Sequence, residues 1–170
     1  SVAEAITKLD AEKAVDAHGD LSTPDNCQAV VSKAVDALGG LDILINNAGV
    51  FDIASIEDTD EAMWDRAMNT NVKAAFFCAK HALPALREGG GNIINHASIA
   101  GLIGLANVAA YCTSKGAIVQ LTRSMAMELA TDVRVNWVCA TTVNNEMGWQ
   151  GVGRPECPNA AYRVIVGGSK

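Results

Sequence analysis

The amino-acid sequence predicts a single α/β domain with a parallel sheet. Short apolar runs such as LDILI (41–45) alternate along the chain with segments of ten or more residues that have the helical period. This alternation is typical of βαβ units, in which a helix connects two parallel strands. The 170 residues are enough for one domain with a sizeable core, and the sequence contains no internal repeat.

The first part of the chain contains four predicted elements. Residues 1–9 predict the end of a helix, and residues 13–18 alternate weakly, as a short strand does. The apolar run 41–45 predicts a strand that is buried on both faces. Between these strands we predict a helix whose N-cap, first-turn proline and C-terminal glycine are Thr23, Pro24 and Gly39.

The second part begins with a long helical segment, 58–88. It opens with acidic residues, which suit the positive end of a helix dipole, and we expect Pro84 to kink or end it. The elements that follow are a strand over 92–97, a helix over 109–130, a strand over 133–139 and an apolar run over 162–166.

The composition excludes several classes of function. The net charge is −6 and no lysine- or arginine-rich run is present, so a nucleic acid or an anionic membrane surface is a poor partner. No apolar run reaches the length of a membrane span. The five cysteines are odd in number and form no CxxC pair, which favours reduced thiols over a disulfide framework or a metal site. We therefore expect a cytoplasmic protein without a metal.

Tyr111 and Lys115 lie four residues apart at the start of the predicted helix 109–130. On a helix, that spacing places both side chains on one face. The ordinary pKa of a tyrosine is about 10, and a nearby ammonium lowers it because the ammonium stabilises the phenolate. The pair is either an ordinary surface pair or a proton-transfer group, and by itself the spacing does not separate the two.

Two other segments favour proton transfer. Ligands of open parallel sheets bind beyond the carboxyl ends of the strands. Ser98 directly follows the predicted strand 92–97, so its hydroxyl is placed to orient a substrate oxygen. The segment NNAG (46–49) follows the strand 41–45 in the same way, and its glycine lets a ligand approach the backbone closely.

Five segments together resemble the consecutive signature blocks of the short-chain dehydrogenase/reductase family. They are LDILINNAGV, MNTNVKAAFF, NIINHASIAGLIG, AAYCTSKGAIVQLTRSMAMELA and VRVNWV, which occur in the family's order and spacing over roughly residues 13–150. The resemblance implies a Rossmann-type domain with a doubly wound parallel sheet. It also implies hydride transfer between a nicotinamide coenzyme, NAD or NADP, and a secondary alcohol or ketone.

The resemblance implies a role for each matching residue. Tyr111 would be the general acid/base, Lys115 would lower its pKa and hold the nicotinamide ribose, and Ser98 would orient the substrate oxygen. Asn71 would complete the catalytic set by holding a water in a proton relay. Tyr111 and Lys115 would also bind the coenzyme, together with a further set of residues, which are Asp20, Leu21, Asn47, Ala48 and Gly49. The segments 58–88 and 109–130 would pair across a two-fold axis in a homodimer or a homotetramer.

The sequence departs from the family's pattern at two places. No Gly-x-x-x-Gly-x-Gly turn occurs before residue 19, and Ala140-Thr141 replaces the Pro-Gly expected after the strand 133–139. We therefore interpret residues 1–170 as a single, incomplete Rossmann-type oxidoreductase domain. We expect that segments are missing from it, because a sheet without its first strand exposes apolar edges. The alternative is a shortened, catalytically silent binding or scaffolding homologue.

Overall fold

Four strands form one sheet in the order β1-β2-β3-β4. A computed structural model describes residues 14–141 and, for the backbone alone, residues 164–168. The strands are β1 (Ile43–Asn46), β2 (Asn92–His96), β3 (Arg134–Ala140) and β4 (Val164–Gly168). The first three are parallel to one another, which confirms the predicted α/β class with a parallel sheet.

The last strand differs from that pattern. β4 pairs with β3 in the antiparallel direction, with Val138 opposite Val166, and it lies two residues later than the predicted run 162–166. An antiparallel edge strand on an otherwise parallel sheet is a common arrangement.

The helices lie where the sequence predicts them, with shifted ends. They are α1 (Pro24–Leu38), α2 (Glu61–Met68), α3 (Ala74–Gly89) and α4 (Ala109–Glu128). Thr23 and Gly39 flank α1 as predicted, and Gly39 has the left-handed conformation (φ 82°) that glycine adopts readily. None of the helices among the described residues is both long and apolar enough to cross a membrane.

The predicted helix 58–88 is divided in a way that the sequence does not indicate. It begins at Glu61, where the Asp60 carboxylate accepts a hydrogen bond from the Met63 N–H at 2.8 Å. A π-helical segment, Asn69–Lys73, separates α2 from α3. Pro84 does not end the helix, because α3 continues past it to Gly89.

Two further predictions about the sheet are wrong. Residues 14–18 form no strand, and no strand lies beside them in the described part of the chain to supply the ladder hydrogen bonds that an extended segment needs. In the described part of the chain, helices cover β1 on one face only. Leu44 packs on the core, whereas Ile43 and Ile45 on the opposite face are more than half exposed. The predicted helix end at 1–9 lies outside the described residues.

One face of the sheet carries the core. Leu44, Ile93 and Val135 are paired across the three parallel strands and pack together against the helices. Leu86 of α3 and Cys27 of α1 are fully buried in the same cluster. Burial of aliphatic side chains of this kind stabilises a fold by roughly 1.5–3 kcal/mol each. The packing fixes the positions of α3 and α4 relative to the carboxyl ends of β1 and β2.

A short 3₁₀ turn, Ile99–Gly101, follows β2 and lies against α4. A Cβ atom on Gly101 would lie 2.6 Å from the backbone carbonyl carbon and oxygen of Lys115, closer than packed atoms approach. Only a glycine lets this turn, which begins directly after Ser98, pack so closely on the helix.

We predict that Gly101→Ala lowers the free energy of unfolding by about 1–3 kcal/mol, because the new methyl group meets backbone that has no room to move. Gly104→Ala, in the same loop, is the control: a Cβ there meets nothing within 4 Å. Urea unfolding of both variants measures the effect. Equal stability of the two variants would contradict the close packing of the turn on α4.

Candidate active site

The carboxyl ends of β1 and β2 and the first turn of α4 converge on one region. Two connecting segments meet at the start of α4, where Ala54 forms an isolated bridge with Val108 and the Ala54 N–H donates to the Asn107 carbonyl at 2.8 Å. Tyr111 lies three residues beyond Val108. Asn107 has a positive φ of 60°, a conformation that asparagine tolerates better than most residues.

The Ser98 side chain faces the Tyr111 hydroxyl closely enough to lower the pKa of the phenol. Ser98 Oγ also accepts a hydrogen bond from the Ala100 N–H at 3.2 Å, which fixes the serine at the end of β2. The ring of Phe51 lies edge-on to the Tyr111 ring, with 4.7 Å between their centroids. The tyrosine therefore has an aromatic contact on its ring, and Ser98 lies near its hydroxyl.

Burial raises the pKa of Tyr111 above its ordinary value of 10, and the hydrogen bond from Ser98 opposes this effect. This direction is opposite to the predicted one. The free-energy cost of moving a phenolate out of water exceeds the stabilisation that the neighbouring groups supply, because the low dielectric of a buried site disfavours the charged form. The phenol of this chain is thus predominantly protonated at neutral pH.

Lys115 is only 4 % exposed, and its Nζ donates a hydrogen bond to the His96 carbonyl oxygen at 2.7 Å. The same Nζ lies 5.8 Å from the centroid of the Tyr111 ring. Burial lowers the pKa of Lys115 from 10.5 to about 8. The ammonium therefore lies near the phenol as predicted, but it donates its hydrogen bond to the carbonyl at the end of β2 and not to the phenol.

Asn71 lies in the π-helical segment and is 3 % exposed. Its amide nitrogen donates to the Val50 carbonyl at 3.0 Å and to Ser114 Oγ at 2.9 Å. Its amide oxygen accepts from the Val50 N–H at 2.7 Å. Both amide hydrogens are thus used to join the segment after NNAG to α4. The side chain acts as a clamp, and it has no remaining donor with which to hold the predicted water.

Gly49 lies between these groups. A Cβ atom at this position would be 3.2 Å from Asn71 Oδ1 and 3.7 Å from Lys115 Nζ. The missing side chain leaves space directly beside the buried ammonium. An ammonium has three donors, and the described residues use one of them on the His96 carbonyl. The remaining N–H groups and the glycine-lined space fit a flat, hydroxyl-bearing group such as a coenzyme ribose.

The other predicted coenzyme-binding residues lie along one side of β1. Leu21, Asn47 and Ala48 line a cavity of about 190 Å³ between α1, β1 and α3. Asp20 is exposed at the start of α1, where its carboxylate accepts a hydrogen bond from the Ser22 N–H at 3.0 Å. Hydrogen bonds from Ser22 lower the pKa of Asp20 below its ordinary value.

A larger cavity of about 690 Å³ lies at the opposite, amino end of β1 and contains none of the predicted site residues.

Several residues that support the site were not among the predicted ones. Ser114 is fully buried, accepts from Asn71 and donates to the Tyr111 carbonyl at 2.8 Å. His96 supplies the carbonyl that holds Lys115, and burial followed by the charge of Lys115 lowers the pKa of its imidazole. The spacing of Ser114 from Tyr111, three residues on one helix face, is the sequence signal that points to it.

A chain of buried amide and hydroxyl groups lies beneath the site. Asn46 donates to Asn95 Oδ1 at 2.8 Å, and Asn95 donates to Thr122 Oγ1 at 2.9 Å. Thr122 in turn donates to the Ile118 carbonyl at 2.7 Å. These hydrogen bonds connect β1, β2 and α4 directly below the strand ends, which rigidifies the frame that holds Ser98 and Tyr111.

The sequence profile of the short chain dehydrogenase family matches residues 1–152, and the chain belongs to this family. It is 42% identical over 150 residues to 2-(S)-hydroxypropyl-CoM dehydrogenase 3 of Xanthobacter autotrophicus, covering 86% of this chain and 59% of that protein. It is also 42% identical over 141 residues to a protein of the same bacterium named inactive 2-(S)-hydroxypropyl-CoM dehydrogenase 2, covering 81% of this chain and 61% of that protein.

Among solved structures, the fold is similar to that of a protein described as a short-chain alcohol dehydrogenase from Sinorhizobium meliloti 1021. The TM-score is 0.80 at 34% sequence identity, and the match covers 84% of this chain and 57% of that chain. The likeness confirms the Rossmann-type fold. The chain spans about three-fifths of the length of the relatives that it matches.

We predict that the stability difference between Lys115→Met and the unchanged protein depends on pH. The pKa of Lys115 is about 8 in the folded state and 10.5 in the unfolded state. Between these two pH values the unfolded chain therefore binds more protons than the folded one. Burial of the charge therefore costs stability below about pH 8, and this cost disappears as the pH rises toward 10.5. The stability of Lys115→Met relative to the unchanged protein should fall by about 2–3 kcal/mol between pH 7 and pH 10.

Urea unfolding at several pH values measures this difference. Lys33→Met, at an exposed position on α1, controls for the loss of one positive charge. A stability difference for Lys115→Met that stays constant from pH 7 to pH 10 would contradict the burial of a charged lysine.

Proposed function

We propose that the protein is an NAD(P)-dependent oxidoreductase that transfers a hydride between a nicotinamide coenzyme and a secondary alcohol or ketone. The observation that carries the proposal is the placement of the Tyr111 phenol between Ser98 and the buried ammonium of Lys115, whose Nζ lies 5.8 Å from the centroid of the Tyr111 ring. The kinship with dehydrogenases supports the same reaction type. The coenzyme, when bound, supplies the hydride acceptor or donor.

In this proposal, Tyr111 exchanges a proton with the substrate oxygen. Its raised pKa keeps the phenol protonated at neutral pH, so the phenol is a proton donor for the reduction of a ketone. In the direction of alcohol oxidation, Tyr111 accepts the hydroxyl proton as a phenolate. The Ser98 hydroxyl, which faces the phenol, hydrogen-bonds the same substrate oxygen and orients it.

Lys115 and the residues around it hold the coenzyme, and Lys115 also supplies a positive charge to the site. With a pKa of about 8, the Lys115 side chain is mostly protonated at neutral pH, and its free N–H groups bind ribose hydroxyls. Gly49 leaves room for that ribose, while Leu21, Asn47 and Ala48 line the adjoining wall. Asp20 would contact the adenine end.

In this proposal Asn71 stabilises the site through its side chain and would hold the relay water through an acceptor oxygen, because both of its amide hydrogens are used. The π-helical segment around Asn71 supports this reading, since such interruptions leave backbone carbonyls without a regular helical partner and are frequent at functional sites.

We also propose that the protein is cytoplasmic and forms a homodimer or homotetramer through the segments 58–88 and 109–130. Large apolar side chains are exposed on the helices of both segments, and these are Trp64, Phe76 and Met127. Isolated exposed apolar residues are ordinary on protein surfaces, but three of them on the helices of these two segments favour an interface between copies.

The catalytically silent alternative is not favoured. One relative is named as inactive, so loss of activity does occur among proteins of this similarity. In this chain, however, Ser98, Tyr111 and Lys115 are all present and lie together, and a silent homologue has no need to keep a buried lysine. Retention of this costly group supports an enzyme.

We predict that Tyr111→Phe lowers kcat by roughly 10²–10⁴-fold, because the variant loses the group that exchanges the proton. Coenzyme binding should change by less than about threefold, since the phenol hydroxyl contributes little to that affinity in this proposal. Steady-state kinetics of the full-length protein and fluorescence titration of the reduced coenzyme measure the two effects. Thr131→Val, which also removes one hydroxyl group but at an exposed position after α4, is the control, and it should keep the rate of the unchanged protein. An undiminished kcat in Tyr111→Phe would overturn the proposal.

A further inference from the structure

Two loops border the position of Tyr111. The first, residues 51–57, begins with Phe51, whose ring contacts the ring of Tyr111. The second, residues 102–108, is joined to the first through the bridge between Ala54 and Val108 and leads directly into α4. We refer to residues 51–57 and 102–105 as the rim. The rim lies on the same side of the sheet as the carboxyl ends of β1 and β2.

The rim exposes an unusual amount of apolar surface. Five of its aliphatic side chains are between 46% and 82% exposed, and they are Ile53, Ile56, Leu102, Ile103 and Leu105. Adjacent exposed aliphatic groups cost solvation free energy unless a ligand or partner covers them. Both loops that carry them lie at the site, since one contacts the Tyr111 ring through Phe51 and the other leads into the first turn of α4, and this favours a ligand at the same site.

The charges around the rim have a single sign. The segments 50–60 and 99–110 contain four acidic residues, Asp52, Glu57, Asp58 and Asp60, and they contain no lysine, arginine or histidine. Arg66 of α2 approaches the rim, but its guanidinium is paired with Asp52 at 3.0 Å. Because one arginine faces four carboxylates, the net charge here is negative, which disfavours binding of a substrate carboxylate, sulfonate or phosphate.

We infer that the rim binds the apolar, uncharged body of an alcohol or ketone, so that the substrate class is neutral hydrophobic secondary alcohols and their ketones. This inference rests on the proposed function, because it assigns the oxygen of the substrate to Ser98 and Tyr111. The apolar chain of the substrate extends over the exposed aliphatic side chains. Each methylene that these side chains cover raises kcat/KM by about threefold to fourfold.

Two matched comparisons with the full-length protein test the inference. In the first, kcat/KM should rise along the series 2-butanol, 2-hexanol and 2-octanol. In the second, methyl 4-hydroxycyclohexanecarboxylate should exceed the free acid by at least about tenfold at low salt, and added salt should narrow this gap because it screens the acidic residues. A preference for the free acid, or a flat chain-length series, would overturn the inference while leaving the proposed function intact.

Substitutions in the rim test whether its side chains cause the preference for longer alcohols. Leu105→Gln should lower the ratio of kcat/KM for 2-octanol to that for 2-butanol by about threefold or more, since it removes one apolar contact. Leu38→Gln is the control, because Leu38 has a similar exposed fraction (48% against 46%) but lies at the end of α1. A Leu105→Gln variant that keeps this ratio but loses its self-association would assign the rim to an interface between copies and overturn the inference.

A binding measurement separates this inference from the proposed function. Saturation-transfer NMR of the Tyr111→Phe protein with the coenzyme compares 2-octanone with 2-butanone in the absence of turnover. Stronger transfer from the protein to 2-octanone supports the apolar rim even if no alcohol is oxidised. Equal transfer to the two ketones would contradict it.

Discussion

The buried ammonium of Lys115 is the constraint on which the site depends. Its hydrogen bond to the His96 carbonyl connects the first turns of α4 to the end of β2, so the same bond also sets where Ser98 lies relative to Tyr111. Removing an ammonium from water is unfavourable, and the lowered pKa of Lys115 is a consequence of that cost. A single carbonyl does not satisfy three donors. The group is thus held in a position where a ligand with hydroxyl groups completes its coordination.

The surrounding frame is built to keep that position. Asn71 ties the segment after β1 to Ser114 of α4 through its amide, and Gly101 lets the turn after β2 rest directly on the same helix. These contacts are short-range and directional, so they tolerate little displacement. The burial of the Tyr111 phenol follows from the same packing. An environment that holds a reacting group rigidly also removes it from water, which explains why its pKa rises in this chain.

Local signals in the sequence were sufficient for much of this arrangement. The helical spacing of Tyr111 and Lys115 predicted a shared face, and the position of Ser98 at a strand end predicted its approach to that face. The direction of the pKa shift of Tyr111 was not predictable, because it depends on burial by distant segments. The π-helical segment around Asn71 has no propensity signal, and the one-sided covering of β1 depends on which other elements pack against it. The spacing of residues in the sequence therefore predicts which side chains share a face, whereas tertiary packing determines their burial and hence the direction of their pKa shifts.

The most direct test of this account is an NMR titration of the Lys115 side chain in the full-length protein without coenzyme. The ¹³Cε and ¹⁵Nζ resonances of labelled lysine, assigned with Lys115→Arg, report the protonation of this single ammonium. The account predicts a midpoint near pH 8, well below that of an ordinary lysine. A midpoint at 10.5 or above would show that the ammonium is solvated, and the buried cation at the centre of the site would then be absent.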